Sequence, residues 1–211
     1  MKNTISRRAV LLSGAATLLA ANAKANVTEV SKASTASKKT ETSETSEISA
    51  SIKKLLDNLD HEKFMRLAIE QAHKVPACPF GAVVVNIKTG KVVGEGWVRA
   101  EKNPIWHGEM TAIYNCPDSD KGFDWSEVAL YTTGESCPMC QSAIIWTKMP
   151  LVVYGSSIPF LQTCDFGQID IRAQTVIDAS RYGKCAIIGG VLEAECNELF
   201  KKAKALNSKK S

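Results

Sequence analysis

Two short segments constrain this chain more than any other feature: His107-Gly108-Glu109 and, further along, Cys137-Pro138-Met139-Cys140. One imidazole and two thiolates make a borderline-soft donor set suited to Zn²⁺, and three protein ligands leave a fourth tetrahedral position for water. A fold that uses them has to bring both segments to one point. Pro138 suits a first helical turn, so the CxxC reads as a strand-to-helix junction where the positive helix end favours thiolates. The open position implies catalysis. Zinc lowers the pKa of a bound water from about 15.7 to about 7, and Glu109, two residues past His107, reaches that water to take and return a proton. Such a site suits attack by hydroxide on a carbon bearing an amino group, as in an aminopurine or aminopyrimidine, with ammonia leaving.

The surrounding pattern supplies a frame for that junction. Residues 80–86 and 92–98 are Val-rich runs joined around Thr89-Gly90, which predicts a hairpin, and 127–132, 151–154 and 184–188 are three further strands. Helical spacing falls over 107–115, 138–147, 168–180 and 191–205, and again between Ser51 and Pro76, where Ile52, Leu55, Leu59, Phe64, Leu67, Ala68 and Ala72 recur at three- and four-residue steps. Strands alternating with helices predict one α/β domain over 51–211, with helices on both faces of a largely buried sheet.

The front of the chain reads differently. Residues 1–25 hold Arg7 and Arg8 within Ser6-Arg7-Arg8-Ala9-Val10-Leu11, an apolar run to Ala21 and the small-residue site Ala23-Lys24-Ala25. This is similar to a twin-arginine export signal and implies a periplasmic protein. The apolar run is shorter than the ~20 residues that span a bilayer. Residues 26–50 are Ser-, Thr-, Lys- and Glu-rich without an aromatic, the composition of a disordered linker. The whole chain has 26 basic and 22 acidic side chains. Removing residues 1–25 takes away Lys2, Arg7, Arg8 and Lys24 and no acid, which leaves 22 of each sign. A neutral domain disfavours a large nucleic-acid partner, which calls for a basic face. Seven cysteines with one close pair do not make a disulfide framework. Cys78, Cys116, Cys164, Cys185 and Cys196 read as small core hydrophobes, with Cys164 as the one alternative fourth metal ligand.

Further motifs accompany the two ligand segments in order: Pro79-Phe80-Gly81-Ala82-Val83-Val84, Gly94-Glu95-Gly96-Trp97 and Leu130-Tyr131-Thr132-Thr133. Together with HGE and the CxxC, they resemble the cytidine deaminase superfamily, whose signature is HxE followed by PCxxC. Guanine deaminases, fungal cytosine deaminases and tRNA adenosine deaminases are the most similar members. The resemblance runs from about residue 55 to 205 and implies a three-layer α/β/α sandwich with a mixed five-stranded sheet. It also implies one zinc on His107, Cys137 and Cys140, Glu109 as the proton carrier, Gly81 and Ala82 lining the pocket, and a homodimer.

Three positions depart from that pattern. Ser136 stands where the family has Pro, Val98 stands where it often has a substrate-binding Asn, and the tail ends in Lys and Ser instead of an aromatic, acidic segment. Asn103 either supplies a replacement amide or is a turn residue before Pro104. Trp106 either stacks on a flat base or covers the metal. Asp165 is either a polar substrate contact or a loop acid at the next helix. The residues together imply hydrolytic deamination of a small nucleobase or nucleoside, with guanine or guanosine ahead of cytosine. The rival readings are a non-catalytic zinc module and thiol–disulfide exchange through the CxxC.

Overall fold

Alternating Val-rich segments pair into a sheet because each can bury both of its faces. In the computed structural model, which describes residues 59–183 and 185–209, β1 (Gly81–Asn86) and β2 (Val92–Trp97) form the expected antiparallel hairpin. Gly90 takes the positive φ of 67° at its turn. β3 (Val128–Gly134) lies antiparallel to β1, while β4 (Leu151–Ser156) and β5 (Ala186–Gly189) follow in parallel. The order is β2-β1-β3-β4-β5, a mixed five-stranded sheet. The expected export signal at 1–25, the linker at 26–50 and the first residues of the domain lie outside the described residues.

Six α-helices occur among the described residues: α1 (His61–Ala72), α2 (Gly108–Tyr114), α3 (Pro138–Trp146), α4 (Ile158–Thr163), α5 (Ala173–Ala179) and α6 (Glu193–Asn207). The two-residue period of the strands deals their side chains to two cores. Ala82, Val84, Leu130 and Val152 face α2, α3 and α5, where they meet Ala112, Ile144, Ile145 and the half-buried Val176 and Ile177. Val83, Val85, Ala129, Tyr131 and Val153 face α1 and α6, against Phe64, Met65, Ala68 and Cys196. The result is the three-layer α/β/α sandwich.

The helix expected over 168–180 starts later, at Ala173, because its first amide donates to the Glu135 carboxylate across 3.0 Å. Helix α4 was not expected from spacing, although Ser157 caps it through Phe160 N at 3.4 Å and Pro159 sits in its first turn. Leu161 and Cys164 at its end pack on Phe200 in a small third core. All seven cysteines are free thiols, and Cys116, Cys164, Cys185 and Cys196 are buried as expected. Cys78 is not a core residue: it is half-buried at the edge of the sheet. Among the described residues, no helix is long and apolar enough to cross a membrane.

One close approach sets the position of α2, the helix that follows His107. Gly96 on β2 has backbone from the helix where a side chain would stand, and a Cβ would collide with Ala112 N and Gly108 O. Backbone cannot yield as a flexible side chain does. Gly96→Ala is expected to destabilise the domain by about 3 kcal/mol and to weaken zinc retention, since α2 must lift from the sheet. Urea unfolding and bound-metal analysis check both effects; unchanged stability would show that α2 is free to shift.

Candidate active site

The edge of the sheet where β2 and β3 end and β1 begins gathers the chemistry. His107 is the N-cap of α2 and Cys137 the N-cap of α3, both in extended backbone with φ −68°, ψ 167° and φ −63°, ψ 165°. Pro138 occupies the first turn of α3, as its spacing required. Both ligand segments therefore stand at helix starts. His107 Nδ1 lies 3.6 Å from Cys137 Sγ and 3.6 Å from Cys140 Sγ. A tetrahedral zinc with Zn–S of about 2.3 Å and Zn–N of about 2.05 Å places N and S about 3.6 Å apart, so the three atoms fit one ion. They form the one group of three such donors among the described residues, and Cys164 is not in it. Cys164 packs instead with Leu161 and Phe200. Three such donors on one zinc would leave a fourth position open.

Glu109 follows in the first turn of α2 and is only 3% exposed. Burial and the neighbouring Cys137 sulfur push its carboxyl above the ordinary range, with His107 opposing them. In the metal-free protein the two thiols divide their roles. Cys137 is pulled down to about 4, first by the hydrogen bond from Cys140 and then, against burial, by the one from His107. Cys140 is pushed well above its usual value by donating to Cys137 and by burial. The hydrogen bond to Cys137 raises His107.

Beside these groups lies a cavity of about 190 Å³. His107, Glu109 and Cys137 form one wall; Cys78, Phe80, Val98, Ala100 and Phe166 make most of the remainder, with Glu135 and Gln168 as the added polar side chains. Several residues expected here stand elsewhere. Gly81 faces α1, where a Cβ would meet the backbone of Ala68 and Ala72, and Ala82 is fully buried in the core under α2 and α3. Their neighbour Phe80 lines the cavity in their place. Asn103 turns its Oδ1 back to accept from Ile105 N at 3.2 Å, the turn-residue role. Trp106 stacks on Tyr114 at 6.1 Å, with the Arg99 guanidinium 5.3 Å from its ring centre. Asp165 sits at φ 64° and pairs with Lys204 at 3.0 Å. None of these five borders the cavity, because backbone direction and local pairing turn each away.

Glu135 was not singled out from the sequence. It is 3% exposed and carries an ion pair to Arg172 Nε, 2.8 Å from both carboxylate oxygens. Ile158 N at 2.9 Å and Ala173 N at 3.0 Å complete its set. An acid two residues before a ligand cysteine was a visible signal, but its partners lie 23 to 38 residues away.

Residues 58–156 match the family model of the cytidine and deoxycytidylate deaminase zinc-binding region. Over that stretch the chain carries this zinc-binding deaminase region. Such a region is the zinc-binding part of deaminases, hydrolases acting on C–N bonds. Solved structures share the fold. A guanine deaminase from Nitrosomonas europaea is 19% identical with a TM-score of 0.59, over 68% of this chain and 84% of that one. A tRNA:A34 deaminase is 23% identical with a TM-score of 0.55, over 65% of this chain and 98% of that one. The bifunctional diaminohydroxyphosphoribosylaminopyrimidine deaminase/reductase of Thermotoga maritima is 29% identical with a TM-score of 0.51, over 71% of this chain and 42% of that one. No curated protein matches the sequence significantly.

Metal uptake by this deaminase domain carries a definite pH sign. Coordination needs Cys140 as thiolate and His107 Nδ1 without a proton, while the metal-free site favours the protonated form of both. Zinc binding is expected to release protons at pH 7 and to weaken as pH falls. Titrating zinc into weakly buffered metal-free protein measures the release; none at all would contradict the ligand set.

Proposed function

We propose that the protein deaminates a small free base by hydrolysis, an aminopurine such as guanine ahead of cytosine. In this reading His107, Cys137 and Cys140 hold the zinc, and Glu109 moves the protons. The observation that carries the proposal is an imidazole nitrogen 3.6 Å from each of two sulfurs, with the buried Glu109 carboxyl beside them at one cavity. When bound, zinc supplies a Lewis acid that brings the pKa of water to about 7. Glu109 takes a proton from the attacking water as oxygen adds to the ring carbon. It passes that proton to the amino nitrogen, which departs as ammonia when the C–N bond breaks. The buried place of Glu109 in the first turn of α2, against the same cavity as His107 and Cys137, suits it to carry the proton between the two transfers.

The cavity, at about 190 Å³, is smaller than the roughly 300–1,000 Å³ of common ligand pockets. This supports a bare base over a nucleoside, and the neutral charge of residues 26–211 argues against tRNA. The likeness to a guanine deaminase supports a purine. A thiol–disulfide exchanger could use His107 to hold a thiolate, but it leaves the buried Glu109 carboxyl without a role.

Export by the segment at 1–25 and assembly as a homodimer belong to the same proposal. The Ser6-Arg7-Arg8 pattern supports the first. The second is supported by an apolar groove between α3 and α5 flanked by exposed Trp146, Ile171 and Tyr182. Cell fractionation reads the compartment. Sedimentation should give twice the chain mass, and a monomer at all concentrations rejects the dimer.

Glu109→Gln is expected to keep one zinc per chain while ammonia release from the best substrate falls at least ~100-fold. Measuring ammonia from guanine, guanosine, adenine, adenosine, cytosine and cytidine ranks the substrates. Zinc-loaded wild-type protein that releases none from any of them would end the proposal.

A further inference from the structure

The cavity wall away from His107 and Glu109 is nearly bare of free polar side chains. Phe80, Val98, Ala100 and Phe166 offer none, and the Cys78 thiol, which burial pushes up to about 11, stays neutral. Glu135 faces the cavity with a charge, yet it has nothing left to give. Its Oε1 accepts from Arg172 Nε and Ala173 N, and its Oε2 from Arg172 Nε and Ile158 N, all within 2.8–3.0 Å. Gln168 differs from both groups. It is half-buried, lines the cavity, and its amide makes no hydrogen bond to any described residue.

The segment that carries Gln168 is anchored rather than loose. It runs from α4 to α5, and Glu135 holds the first amide of each helix. Arg172, just before α5, reaches on to Tyr154 Oη at 3.2 Å. Phe166 packs edge-on against Phe80 at 5.4 Å and Phe200 at 5.3 Å. Glu135 is itself two residues from Cys137, so the loop and the metal ligands are fixed to the same strand end. The backbone that carries Gln168 is thereby positioned before a ligand arrives, which lowers the entropy cost of using its side chain.

We propose that Gln168 selects the substrate by pairing its amide with a lactam edge, a ring carbonyl beside a ring N–H. Nε2 donates to the carbonyl oxygen while Oε1 accepts from the ring N–H, a two-bond match that a primary amide makes with both partners satisfied. Guanine and cytosine each carry an amino group and such an edge, whereas adenine has the amino group and no carbonyl. The cavity therefore takes amino-oxo heterocycles and passes over amino heterocycles without the carbonyl. This assignment rests on the deaminase reading above.

The test compares zinc-loaded wild-type protein with Gln168→Leu and Gln168→Glu, measuring kcat and KM for ammonia release from guanine, cytosine and adenine. The leucine keeps the size and loses both bonds. It should lower kcat/KM for the oxo-base at least about tenfold, since the substrate's polar edge is left unpaired. The ratio of oxo-base to adenine should fall by the same factor, a change that general loosening of the fold does not produce. The glutamate should be at least as poor, having lost the donor to the carbonyl. Zinc content of one per chain in all three proteins shows that the variants are folded. A wild type that prefers adenine, or a ratio unchanged in Gln168→Leu, overturns the role of Gln168 and leaves the deaminase standing. Wild-type protein that releases no ammonia from any of the three bases overturns both.

Discussion

Because β1, β3 and β4 are buried on both faces by helical layers, the middle of the sheet has no open surface on which polar chemistry can stand. Water, a metal ligand set and a substrate can meet the chain only where the strands stop. That constraint places everything of interest along one edge. β1 begins there after Phe80, β2 ends there before Val98, and β3 runs out there into Glu135, Ser136 and Cys137. Helices α2 and α3 start at the same edge, so their unsatisfied N–H groups and positive ends point toward it. Thiolate and carboxylate chemistry is favoured there for that reason.

A buried charge imposes a second order on this edge. Taking a carboxylate out of water costs several kcal/mol unless it is fully paired, and Glu135 is met by a guanidinium and two helix-start amides. Those partners come from two different places in the chain, so one side chain ties the end of β3 to the beginnings of α4 and α5. The loop between these helices then closes one side of the cavity with Phe166 and Gln168. Glu109 is a contrasting case. It is buried without an ion pair to match that of Glu135, and burial first, then the Cys137 sulfur, raise its pKa against the pull of His107.

Much of the frame was legible in residue order. Val-rich and apolar runs marked all five strands, and Thr89-Gly90 marked the hairpin turn, since local steric preferences act over a few neighbours. Pro138 located the start of α3, and the ligand types identified the metal. The substrate side of the cavity was not legible in the same way. Gly81 looked like an open backbone position, but its missing side chain makes room for α1 on the far face. Asn103, Trp106 and Asp165 each carry suitable chemistry and each is taken up by a neighbour: Ile105 N, Tyr114 and Lys204. Sequence spacing reports which groups exist, and it does not report which way they turn.

The division has a physical basis. The identity of the donors, their softness and the helix-start signals around them are properties of short segments, so His107, Glu109, Cys137 and Cys140 could be named from the sequence alone. Their meeting at one point depended on Gly94 and Gly96 letting α2 lie on β2, and on β3 delivering Cys137 to the same edge. The cavity wall depended on contacts between residues far apart in the chain, Glu135 with Ala173 and Phe80 with Phe166 and Phe200. Long-range packing of that kind has no local signature, so only the tertiary structure brought Gln168 to the cavity and took Asp165 away from it.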